Sequence, residues 1–148
     1  MSGIICAVRG GPNSQPTIDK AISLAKEVSL PLYFLYIVNL NFLVHTQSSR
    51  VSTISEELSK MGEFILLTAQ DKANQMGVAA EGVVRQGDVQ EEIILLAQEL
   101  EANYVILGLP QGQKEADIFV PERIKEFSAL IEQESGAKVV LAEGKPSE

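Results

Sequence analysis

The stretch from Asn103 to Gly112, Asn-Tyr-Val-Ile-Leu-Gly-Leu-Pro-Gln-Gly, is a short uncharged run that breaks into glycine and proline. A brief apolar run bounded by backbone breakers reads as a buried strand handing over to a loop. Just before it, Val89, Ile93, Leu96, Ala97 and Leu100 recur at helical spacing, preceded by Gln86-Gly87-Asp88, a turn with a carboxylate able to cap that helix. Just after it, residues 109–119 read as a loop. Val120, Ile124, Phe127 and Ile131 then mark a helix with Pro121 near its start, and Lys138 to Ala142 is a last strand. Strand, loop, helix and strand in this order is the grammar of an α/β fold.

The N-terminal half repeats it. Gly3 to Val8 (Gly-Ile-Ile-Cys-Ala-Val) is an apolar run stopped by Arg9-Gly10-Gly11-Pro12. Asn13 or Ser14 can cap a helix that carries Ile18, Ala21, Ile22 and Ala25 and runs to about Ser29. Leu32 to Val38 (Leu-Tyr-Phe-Leu-Tyr-Ile-Val) is uncharged and aromatic, as a strand buried on both faces should be. Ile54, Leu58, Met61 and Ile65 restart a 3.6-residue period that continues to about Met76, the longest helix, ended by Gly77. Residues 78–85 alternate less cleanly and make a third strand. Strands alternating with full helices call for parallel pairing through right-handed crossovers. The expectation is a three-layer α/β sandwich: a five-stranded parallel sheet with helices on both faces, ordered either as in flavodoxin or as 3-2-1-4-5. Residues 1–148 are read as one domain, a length that buries roughly 68–70% of the unfolded surface.

Twelve Lys and Arg against twenty Asp and Glu leave a formal charge of -8, which repels phosphate backbones and anionic lipid at long range. Neither nucleic acid nor a membrane is expected as a partner. The most apolar stretch, residues 30–44, is shorter than the roughly 20 residues a spanning helix needs and is broken by Pro31, Asn39 and Asn41. No secretory signal is visible, and Cys6 is the single cysteine, so the reading is a cytoplasmic protein with no disulfide framework.

In an open parallel sheet, ligands bind beyond the carboxyl ends of the strands, where strand order reverses. The segments leaving strands one and four carry Arg9-Gly10-Gly11 and Gly108 to Gly112. Glycine there lets backbone N–H groups approach a phosphate, and a guanidinium grips phosphate or carboxylate in bidentate fashion. The bland alternatives are a salt bridge from Arg9 to Asp117 or Glu115, and glycines serving turn geometry alone. His45 has no companion at catalytic or metal spacing, Cys6 reads as an inert core thiol, and Glu91 and Glu92 suit a helix N-terminus. Nothing assembles a nucleophile, a base and oxyanion donors, so no catalytic residues and no metal site are assigned.

Strand one with its Gly and Asn/Ser loop, the long second helix, the Arg85-x-Gly87-Asp88 turn and Val-Ile-Leu-Gly108 before a glycine loop together resemble the universal stress proteins along nearly the whole chain. The resemblance implies the 3-2-1-4-5 order of an adenine nucleotide alpha hydrolase-like fold, a homodimer, and ATP or AMP in the crevice, with the backbone of Val38 meeting the adenine. The chain departs from the family's ATP motif. Arg9 replaces an acidic residue, Gly108 and Gly112 are separated by three residues instead of two, and Phe119, Val120 and Pro121 stand where a later glycine and hydroxyl would be. Pro121 has no N–H to offer, and Glu115, Asp117 and Glu122 crowd the loop, leaving Arg9 and Lys114 to offset them.

The expected function is therefore a regulatory or binding module with an altered nucleotide site, disfavouring tight ATP. The alternatives are a slow nucleotide hydrolase or nucleotidyl transferase, by analogy of fold, and a sensor of a small anionic metabolite. The candidate ligand residues are Arg9, Gly10, Gly11, Val38, Gly108, Gly112 and Lys114. The apolar Val139, Val140 and Leu141 form the candidate dimer edge.

Overall fold

The computed structural model describes residues 3–8, 15–38, 48–108 and 120–142. Nine elements follow one another: β1 (Ile4–Ala7), α1 (Gln15–Val28), β2 (Leu32–Val38), α2 (Ser48–Gln75), β3 (Ala80–Gln86), α3 (Val89–Leu100), β4 (Tyr104–Gly108), α4 (Val120–Ser135) and β5 (Lys138–Ala142) among the described residues. The strands form one sheet in the order β3-β2-β1-β4-β5, every neighbouring pair parallel. This is the 3-2-1-4-5 expectation, and of the two orders left open by alternation alone it is the one that sets β1 beside β4.

Side-chain alternation on the central strands divides the interior into two cores. Ile4, Cys6, Leu32, Phe34 and Ile106 point to one face, where Ile18, Ala21 and Ile22 of α1 and Leu66, Ala69 and Ala73 of α2 cover them. Ile5, Leu35, Val105 and Leu107 point to the other, covered by Ile93, Leu96 and Ala97 of α3 and Ile131 of α4. Burial on both faces is why β1, β2 and β4 are apolar without a polar alternate. The edge strand β3 tolerates exposed Glu81, which explains its unclear pattern.

Helix α2 begins at Ser48, six residues before its apolar period starts at Ile54. Its 28 residues span about 42 Å, against about 23 Å for the seven residues of β2. Gly62 packs on the ring of Tyr36 near the end of β2, so the turns before it project beyond the sheet. No helix among the described residues is long and apolar enough to cross a membrane.

Candidate functional site

The pairing Cys6↔Ile106 aligns the carboxyl ends of β1 and β4, and continuing that register sets Val8 opposite Gly108. Val8 is buried and tied across to β2, its N–H donating to the Leu35 carbonyl at 2.8 Å. The reversal of strand order expected from the sequence thus falls between β1 and β4, with the end of β2 on the other side of β1. The first turn of α1 lies over the end of β4, where Thr17 meets Gly108, and brings the positive end of a helix dipole.

Of the seven candidate ligand residues, Val38 and Gly108 are described, and they end β2 and β4. Arg9, Gly10, Gly11, Gly112 and Lys114 lie outside the described residues, as does His45. Val38 ends β2 and is buried as a whole residue. Its carbonyl already accepts the Gly87 N–H at 3.0 Å, which leaves one lone pair for anything in the crevice.

Gly108 ends β4 directly beneath Thr17, in the first turn of α1. A Cβ added at Gly108 would overlap Thr17 Oγ1, so glycine at 108 is demanded by helix packing whether or not a phosphate is bound. Thr17 is the one buried polar residue among the described residues, 4% exposed, and sequence reading passed it over. The available signal was a threonine beside Ile18, inside the helix's apolar stripe.

Cys6 is fully buried below the crevice. Its Sγ–H donates to the Thr17 carbonyl at 3.8 Å, and burial pushes its thiol far up, which suits an inert core residue. Arg85, from the Arg-x-Gly-Asp turn, is committed to structure. Its guanidinium forms a two-pronged pair with Glu99 (2.6 and 3.4 Å) and a longer contact with Glu92 (3.5 Å), bracing β3 against α3. The hydrogen bond to Glu99 is the main reason its pKa is raised. Asp88 of the same turn caps α3, accepting the Glu91 N–H at 3.1 Å. Val139, Val140 and Leu141 lie in β5 at the edge of the sheet and are half-buried.

An open groove of about 470 Å³ lies at the opposite end of the sheet, between the C-terminal ends of α1 and α2, lined by Leu30, Pro31 and Val78 with Lys26 at its side. It touches neither Val38 nor Gly108 and sets a lysine beside an apolar floor. Among the described residues, no cluster of three or more His, Cys, Asp or Glu could hold a metal ion.

The family model described as the universal stress protein family matches residues 1–118. Universal stress protein YxiE of Bacillus subtilis is 28% identical over 113 residues, covering 71% of this chain and 76% of its own length. Two solved structures share the fold. Universal stress protein UspA from Lactobacillus plantarum superimposes with a TM-score of 0.72 at 16% identity, covering 95% of this chain and 97% of its own. The universal stress protein from Archaeoglobus fulgidus in complex with dAMP gives 0.60 at 14% identity, covering 96% and 98%.

Proposed function

Because the chain belongs to the universal stress protein family, we propose that it is a regulatory binding module, one unit over residues 1–148, whose nucleotide site keeps an adenine side and has lost much of its phosphate side. The observation that carries this reading is the crevice itself. The ends of β1, β2 and β4 lie side by side there, with Val38 closing β2 and the first turn of α1 over Gly108. A solved relative holds dAMP, which supports an adenine nucleotide as the ligand class. Against a long phosphate chain stand Arg9 for an acid, the wider Gly108 to Gly112 spacing, and Phe119-Val120-Pro121, which begins where the family match ends. Glu115, Asp117 and Glu122 each oppose a nearby phosphate by about 1 kcal/mol even in water-like surroundings.

Equilibrium dialysis against ATP, ADP, AMP and cyclic AMP tests the reading. The expected order favours the monophosphates, with weak binding throughout, and submicromolar affinity for ATP refutes the altered site. Arg9 comes directly after buried Val8 at the end of β1, which supports a second reading, a small phosphate or carboxylate metabolite held by Arg9 and the Gly10 and Gly11 amides. Under it, Arg9→Ala abolishes binding of that anion without affecting adenosine. We further propose that the protein is a homodimer paired through the exposed edge of β5.

A further inference from the structure

Strand β5 is the last strand beside β4, and the alternation of its backbone decides which groups face the open side. Lys138 donates its N–H inward, to the Asn103 carbonyl at 2.9 Å. Backbone groups of successive strand residues point to opposite sides, so Val139 and Leu141 present their N–H and C=O groups outward. The first of these outward amides is already taken, since Val139 N–H donates to Oε2 of Glu132 at 3.0 Å.

Glu132 is placed for this by the end of α4. Its own carbonyl accepts the Gly136 N–H at 3.0 Å, and Ser135 Oγ–H donates to the Ile131 carbonyl at 2.6 Å while accepting the Ala137 N–H at 3.2 Å. Gln98 Nε2 adds a bond to the Glu134 carbonyl at 2.9 Å, tying the same turn to α3. Gly136 and Ala137 alone connect α4 to β5, so the pinned last turn holds the carboxylate beside the edge.

We infer that Glu132 guards the β5 edge and sets how tightly a second copy of this chain pairs there. The inference rests on the self-pairing proposed above. A two-fold-related copy lying antiparallel about Val140 opposes Val139 with Leu141, and each such pair exchanges two hydrogen bonds. Half of those bonds are donated by Val139 N–H, the group that Glu132 occupies, so each protomer must release its carboxylate before the ladder closes. An inward-reaching charge on an edge strand is a known way for a fold to limit strand addition. Here it tunes a pairing rather than forbidding it, because among the described residues the Glu132 carboxylate reaches Val139 N–H and no other outward group of β5.

The experiment compares wild type, Glu132→Ala and Glu132→Gln by sedimentation equilibrium and by hydrogen exchange at the Val139 amide under dilute, monomeric conditions. Glu132→Ala is expected to speed Val139 exchange in the monomer and to tighten self-association on the order of tenfold. Glu132→Gln keeps an acceptor oxygen and is expected to stay near wild type in both, which separates loss of the hydrogen bond from loss of charge. Unchanged exchange in Glu132→Ala overturns the guard itself. Faster exchange without association of either protein up to about millimolar concentration overturns the pairing through β5 and with it the role given to Glu132. Equal tightening by Ala and Gln overturns the hydrogen-bond mechanism in favour of charge.

Discussion

Replacing Gly108 by alanine tests the packing that shapes the crevice. The new methyl would overlap Thr17 Oγ1, while Thr17 Cβ at 3.6 Å and Cγ2 at 3.8 Å remain at ordinary contact. One hydroxyl is therefore the whole obstacle. It cannot swing away freely, because Thr17 is β-branched, buried at 4% exposure and seated in the first turn of α1. Overpacking of this kind costs about 1–3 kcal/mol, and the stiffer unfolded chain returns about 0.4–1 kcal/mol, for a net loss of about 0–2.6 kcal/mol. Urea unfolding of Gly108→Ala, Thr17→Ala and the double variant measures it. The double variant should be more stable than the sum of the singles by about 1–2 kcal/mol, since Thr17→Ala removes the atom in the way. A Gly108→Ala cost that is the same with and without Thr17 would refute the reasoning and return Gly108 to the status of a loop glycine.

Gly62→Ala places a methyl on the Tyr36 ring, with ring atoms at 2.7 and 2.9 Å and one closer still. It should cost about 2–3 kcal/mol in chemical denaturation, most of it recovered by Tyr36→Ala in the same chain. Asp88→Ala should cost about 1 kcal/mol through the lost cap on Glu91 N–H, and Asp88→Asn much less, both read from thermal or urea unfolding. The Cys6 thiol, pushed up by burial, stays protonated in the folded chain while the unfolded chain loses its proton near pH 8.5. The folded state then binds the extra proton, so stability should fall by about 1.4 kcal/mol per pH unit above about pH 9 and stay flat from this source below pH 8. Denaturant midpoints across pH for wild type and Cys6→Ala check this, and the same alkaline slope in both proteins would exclude Cys6 as its cause.

Much of the fold was legible because burial on two faces leaves a plain trace. Leu32 to Val38 has no charge anywhere, and β2 has those bounds in the structure. The opening turns of α2 were not legible, since residues 48–53 are polar apart from Val51 and one apolar residue makes no recurring period. The end of β4 was legible as a place, because glycine after an apolar run marks a strand's carboxyl end. Its tenants were not. Thr17 meets Gly108 across 91 positions of chain, and Gly87 meets the carbonyl of Val38 across 49. Neither contact has a local pattern.

Local chemistry therefore determined the element types, the parallel sheet and the net negative charge. Tertiary structure decided between two strand orders, put β1 beside β4, and turned Gly108 from a loop signal into a seat for Thr17. It also brought the Glu132 carboxylate to the outward amide of Val139. The physical reason is range. Propensity, periodicity and capping act within a turn or two of the chain, whereas excluded volume and hydrogen bonding between distant residues exist only once the layers have packed.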